Sequence, residues 1–208
     1  DSPMPTLPPL RFAPLASRTD APRGRPGLRR ALAVAGCAWL LGLAAPSAHA
    51  QAMLLNFDAI PCPTSAIPNG TGGLNWANMF CADGPTTGGG YATGTVSSPN
   101  IAFNAGGNPA TVTRGGGGVF SLSSAQLTAA FTPAPQVRVE GFVGATSVAV
   151  LTFSPTNTGP TLVDLSAITN VDRVVFTSLP TGQTRQFELD DLYYSLVPTH
   201  AVTTAAVP

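Results

Sequence analysis

Beyond residue 50 the chain never runs far without meeting a turn signal, and this limits what it can become. The 208-residue sequence holds 22 glycines and 21 prolines. With Asn and Ser they cut the stretch 51–197 into short apolar runs. None of these keeps a 3.6-residue period over the roughly eleven residues an amphipathic helix requires. Alternation survives instead. Leu74, Trp76, Asn78 and Phe80 fall on one face, and Val137 and Val139 alternate with Arg138 and Glu140. The run Val148 to Phe153 follows a hairpin connection at 144–147. Shorter runs at 53–57, 91–96, 101–104, 110–113, 119–122, 126–131, 161–165, 171–176 and 187–196 complete the set. Roughly eleven short strands spaced by turns predict an all-β, antiparallel β-sandwich rather than a βαβ fold. Residues 123–130 tolerate a helix, but Leu122, Leu127 and Phe131 sit as naturally on strands. The run Gly115 to Gly118 has no Lys-Ser/Thr end, so it reads as a loop tip and not a phosphate cradle.

The first fifty residues follow different rules. Arg29-Arg30, an apolar stretch at 31–45 and Pro46-Ser47-Ala48-His49-Ala50 form the three parts of a cleavable secretory signal. The apolar stretch is shorter than the ~20 residues that span a bilayer. Val34-Ala35-Gly36-Cys37 has the local look of a lipoprotein box, yet only Ala31 to Ala33 separate it from the arginines. The organisation expected is a disordered Pro/Arg-rich leader at 1–28, a signal peptide at 29–50, one β-sandwich domain at 51–197 and a flexible tail at 198–208. The destination is extracellular or periplasmic, with no membrane span after cleavage.

Removing the signal changes the chemistry left behind. Six of the ten arginines lie before residue 51, and the sequence contains no lysine. Arg114, Arg138, Arg173 and Arg185 remain against Asp58, Asp83, Glu140, Asp164, Asp172, Glu188, Asp190 and Asp191, four positive charges against eight negative. Such a surface offers phosphate backbones and anionic membranes little to bind. Cys62 and Cys81 are the cysteines that remain, and in an exported chain they predict a disulfide. Closing that loop contributes roughly 3 kcal/mol by the chain-entropy estimate. His49 leaves with the signal and His200 lies in the tail, so no Ser-His-Asp or Cys-His arrangement can be assembled.

Several phrases, taken in order, resemble a family of secreted bacterial proteins with a galactose-binding-like jelly-roll domain, many of which carry a PEP-CTERM sorting tail. They are Leu55-Asn56-Phe57-Asp58, Gly73-Leu74-Asn75-Trp76-Ala77-Asn78-Met79-Phe80, Ser98-Pro99-Asn100-Ile101-Ala102-Phe103-Asn104 with Gly107-Asn108-Pro109-Ala110, Val119-Phe120-Ser121-Leu122, Leu127-Thr128-Ala129-Ala130-Phe131, Val139-Glu140-Gly141-Phe142 and Phe187-Glu188-Leu189-Asp190-Asp191-Leu192. The resemblance implies a jelly-roll topology and the possibility of a structural Ca²⁺. It also implies a Pro-Glu-Pro box, a membrane segment and a basic end after Leu196-Val197-Pro198, and the ten last residues depart from that pattern.

Two groups of residues are candidates for chemistry. Asp190 and Asp191, with Asp58 brought near if the first and last strands pair, offer hard oxygen ligands for Ca²⁺; the competing reading is that they accept backbone N–H bonds or are solvated. Alternation places Glu188 and Asp190 on one face, and the slip to Leu192 predicts a bulge at Asp191. Trp76, flanked by Asn75 and Asn78 and assisted by Tyr91, forms a candidate sugar-binding set in which the indole stacks and the amides bond hydroxyls. The balance for Trp76 itself favours the core, since a small sandwich wants one large aromatic inside. The expected function is a non-catalytic carbohydrate-binding or extracellular-matrix role, with a polysaccharide or cell-surface glycan as partner. The alternatives are a structural biofilm or envelope component without a small ligand, and a polysaccharide hydrolase or lyase using Glu140 and Glu188.

Overall fold

A computed structural model describes residues 51–62 and 65–198. The leader, the signal segment and the tail beyond Pro198 lie outside the described residues. In chain order the strands are β1 (Ala52–Leu55), β2 (Ser65–Ala66), β3 (Leu74–Ala77), β4 (Met79–Asp83), β5 (Asn100–Asn104), β6 (Ala110–Arg114), β7 (Phe120–Ala129), β8 (Gln136–Val143), β9 (Thr146–Phe153), β10 (Thr161–Asp164), β11 (Arg173–Leu179) and β12 (Phe187–Leu196). Two helical turns, α1 (Gly84–Thr87) and α2 (Gly90–Gly94), stand between β4 and β5. The strands form two antiparallel sheets, one of seven strands ordered β10-β7-β12-β5-β4-β2 with β1 also on β12, the other of five ordered β3-β6-β11-β8-β9. This is the all-β, antiparallel β-sandwich expected from the alternation.

The core lies between the sheets because the alternation puts one apolar row of each strand inward. Val112, Val137, Val139, Val174 and Phe176 come from the five-stranded sheet. Phe120, Leu122, Leu127, Phe187, Leu189, Leu192 and Tyr194 meet them from the seven-stranded sheet. The Phe176 and Phe187 rings face each other across the interior at 6.0 Å. One polar bridge crosses beside them: Asn104 donates to the Ser178 hydroxyl at 3.1 Å and accepts from the Phe187 N–H at 2.8 Å, so none of these groups is buried unpaired.

Two places depart from the sequence reading. Alternation alone holds Leu74 to Phe80 on one face throughout. The structure breaks it at Asn78, which adopts φ +57° and donates to the carbonyls of Ala105, Asn108 and Pro109. The chain crosses from the five-stranded to the seven-stranded sheet there, so Met79 and not Phe80 turns fully inward. Residues 91–96, expected as a strand, instead contribute to α2 and the loop after it. Asp83 caps the preceding turn through Thr86 N–H at 2.9 Å, and Gly88 and Gly89 take positive φ values that reverse the chain. The apolar side of this excursion then packs Tyr91 on Phe103 and covers the outside of the seven-stranded sheet.

Other expectations hold. Gly144 takes φ +58° in the hairpin between β8 and β9, and Gly116 to Gly118 all take positive φ in the loop between β6 and β7. Cys62 and Cys81 form the disulfide, with Cα atoms 5.4 Å apart, fastening the loop after β1 to β4. Among the described residues no helix is long and apolar enough to cross a membrane. Phe176→Ala should cost about 3–5 kcal/mol of stability, measured by urea unfolding, because it empties the centre of the inter-sheet contact.

Candidate functional site

The carboxylates singled out in the sequence converge around β12, but not as a metal cradle. β1 pairs with β12 over Ala52–Leu55 and Leu192–Ser195, which places the first and last strands side by side. The bulge falls where the alternation slips: register shifts between Asp190 and Tyr193, and Asp191 takes φ +44°. Asp190 accepts from Val96 N–H at 2.9 Å, Ser97 N–H at 3.0 Å, Ser97 Oγ at 3.1 Å and Asp191 N–H at 2.8 Å. Asp58 accepts from Asn100 N–H at 3.0 Å and from the Asn56 amide at 2.9 Å. The carboxylate oxygens of Asp58 and Asp190 are thus engaged by N–H and O–H donors, whereas Asp191 Oδ1 is buried without a partner. Among the described residues no three Asp, Glu, His or Cys side chains gather as a metal-holding group. Asp58 and Asp190 are bonded as carboxylates that organise loops, the competing reading of the sequence.

Glu188 is the unusual acid. It is 1% exposed, and neither carboxylate oxygen has a hydrogen-bond partner. Gly94 of α2 closes over it, and a Cβ at that position would run into the Glu188 carboxylate and Thr128. Burial, followed by the charge of Asp190, pushes its pKa up to about 9. Burial also raises Asp190 to about 6, against the lowering effect of its backbone donors. Glu188 is therefore a neutral acid at pH 7, which removes the cost of an unpaired buried charge. It shares no cleft with Glu140, which lies on the outside of the other sheet in an ion pair of 2.7 Å with Arg138. The two glutamates thus do not form the flanking pair a glycosidase uses.

The proposed sugar set divides in the same way. Trp76 is 6% exposed, its indole N–H donates to Thr71 O at 3.1 Å, and its ring meets Phe57 edge-on at 5.8 Å. It is a core residue and not a stacking platform, because β3 turns its even-numbered side chains inward. Asn78 is taken up at the corner between the sheets. Tyr91 is buried beneath α2, where its hydroxyl donates to Gln186 and its ring packs on Phe103 and Phe131. Burial, with the nearby Glu188 charge, raises its pKa. Only Asn75 keeps its side chain outward.

Asn75 lies on a surface that sequence reading did not assemble. Cross-strand register sets Asn75 beside Thr113, Thr113 beside Arg173, Arg173 beside Phe142 and Phe142 beside Ser147. The next row on the same outer face is Ala77, Thr111, Val175, Glu140 and Val150. At strand spacings of about 4.8 Å, the row from Asn75 to Phe142 covers roughly 14 Å. A shallow cavity of about 150 Å³ opens at the β3 side, lined by Asn69, Asn75, Trp76, Ala77, Thr111 and Thr113. The Arg173 guanidinium lies over the Phe142 ring, 4.1 Å from its centre, a cation–π contact that holds it against the sheet. Thr111, Thr113, Arg173 and Phe142 each alternate with an inward residue, so the sequence marks them as outward. The order in which four strands bring them together is set by non-local pairing.

No family model matches the chain, and no curated protein matches it either. Among solved structures it is similar to the K2 cleaved adhesin domain of Lys-gingipain, with 12% identity and a TM-score of 0.43 over 70% of this chain and 98% of that one. It is also similar to TmCBM61 in complex with β-1,4-galactotriose, with 8% identity and a TM-score of 0.35 over 61% and 93% of the two chains. A third is the CBM22-1–GH10 portion of Clostridium thermocellum endo-1,4-β-D-xylanase 10B complexed with xylohexaose, with 11% identity and a TM-score of 0.36 over 70% of this chain and 29% of that one.

The buried acid gives a signed pH dependence. Unfolded Glu188 loses its proton near pH 4.5 and folded Glu188 near pH 9, so between these values the folded state holds a proton that the unfolded state has released. Stability is then fullest on the acid side of the window and falls as pH rises through it. Thermal melts should show Tm declining from pH 6 to pH 9, and Glu188→Gln should flatten that decline while keeping the wild-type Tm near pH 6.

Proposed function

We propose that this chain is an exported, non-catalytic carbohydrate-binding domain whose binding surface is the outer face of the five-stranded sheet. The observation that carries the reading is the open polar row of Asn75, Thr113 and Arg173 beside the cavity lined by Asn69 and Thr111. Amide and hydroxyl groups presented on a rigid sheet match the hydroxyls of a sugar, and the groups need no rearrangement to meet them. The flat guanidinium on Phe142 extends the surface along the row, so an extended polysaccharide or cell-surface glycan can lie across the strands. The disulfide Cys62–Cys81 agrees with an oxidising compartment outside the cytoplasm. The mature chain should be retained on at least one polysaccharide in affinity electrophoresis. Asn75→Ala combined with Thr113→Ala should weaken that retention about tenfold, the worth of two hydrogen bonds. Absence of retention on every polysaccharide, with and without added Ca²⁺, would sink the reading.

A structural matrix role is favoured by a separate observation. Among the described residues β9 is an edge strand paired only with β8, and its eight residues contain neither charge nor proline. Val148 and Val150 on it are each 50% exposed. Such an edge leaves a row of backbone donors and acceptors open to another strand. In this second reading the mature chain self-associates with rising concentration in analytical ultracentrifugation. Val150→Lys shifts it towards monomer, and a wild type that stays monomeric at every concentration contradicts the idea.

A further inference from the structure

Resting on the reading of the five-stranded sheet as a glycan-binding face, we infer that its ligand is an acidic polysaccharide, with Arg173 pairing a sugar carboxylate. The chain uses cations sparingly. Its described part has four arginines for eight acidic side chains, and two of the four, Arg138 and Arg173, stand on this one face. Their fates differ. Arg138 is neutralised by Glu140 at 2.7 Å, the acid of the same face. Asp172, the nearest acid in sequence to Arg173, accepts from Gly144 N–H at the hairpin. Among the described residues no carboxylate pairs with Arg173. Its guanidinium contacts are the Phe142 ring and a long 3.4 Å approach to Gly144 O.

The face therefore carries one net positive charge on a domain that is otherwise acidic. The ring beneath holds the guanidinium in place, so less freedom is lost when a ligand binds it. A planar fork of this kind matches a carboxylate in two parallel hydrogen bonds. Thr113 and Asn75 continue the row on the β6 and β3 side, within reach of the hydroxyls of the same chain of sugars. A neutral glycan would use the amide and hydroxyls and leave Arg173, the cation of this face without a carboxylate partner among the described residues, unanswered. A polyuronate uses all three.

The test is affinity electrophoresis of the mature chain in gels carrying polygalacturonate or alginate, against gels carrying neutral galactan or xylan. Stronger retention by a polyuronate is expected, weakening as salt is raised because exposed ion pairs are screened. Arg173→Gln should reduce that retention by about ten- to a hundredfold, the range of a charge-assisted hydrogen-bonded pair. Arg185→Gln makes the same change in net charge away from this face and should leave retention near wild type. Thermal melts of both variants separate loss of binding from loss of folding. If Arg173→Gln melts well below wild type, Arg173→Lys with a salt titration of the wild type takes its place. There, the expected outcome is a several-fold loss and a marked salt dependence; full retention and salt independence overturn the inference. Binding to neutral glycans alone, or equal losses from Arg173→Gln and Arg185→Gln, overturns the acidic ligand and leaves the face intact. Binding to none overturns both.

Discussion

One carboxylate holds the seven-stranded sheet to the segment that covers it. Asp190 gathers N–H groups from Val96 and Ser97, at the entry to β5, and from Asp191, at the bulge of β12. A bulge and a turn each interrupt a ladder and strand their backbone donors, and a buried donor left unmade costs about 1–3 kcal/mol. Here the two interruptions solve each other. The bulge is also where β12 changes neighbours, from β5 at Glu188 and Leu189 to β1 from Leu192 onward. The slip in alternation keeps Phe187 and Leu189 inward before it and Leu192 and Tyr194 inward after it. The inward rows of both halves of β12 therefore depend on an irregularity that one side chain stabilises.

This explains which parts of the molecule can be read from the chain alone. The strands of strict alternation, 137–140 and 148–153, appear where expected, because local pattern and burial agree there. The bulge at Asp191 is legible for the same reason: a broken alternation has no other low-energy explanation. The turn α2 is not legible. Tyr91 to Val96 has a strand-like composition, and its helical turn, which no side chain caps, arises from glycines that allow close approach to β7, a tertiary effect. Asn78 misleads similarly, since its parity matches that of Trp76 while the chain changes sheets beneath it.

The candidate surfaces show the same division between local and non-local information. Residue type draws attention to Trp76, Tyr91 and the acids of β12, and those are the groups the fold consumes. Aromatic rings and clustered carboxylates are equally what a small sandwich needs for its interior and its loops. The residues left facing solvent, Asn75, Thr113 and Arg173, are individually ordinary. Their meaning comes from register across three strands, and single-sequence periodicity carries no register. The ion pair of Arg138 and Glu140 is of the local kind, since both partners lie on one strand where alternation alone puts them on a common face.

The closure of Gly94 over Glu188 ties two distant positions into one unit of variation. The glycine supplies the space, and the acid fills it without finding a partner. A side chain gained at 94 would need room from both Glu188 and Thr128. Drift at either site is thus constrained by the other, although they stand on separate elements.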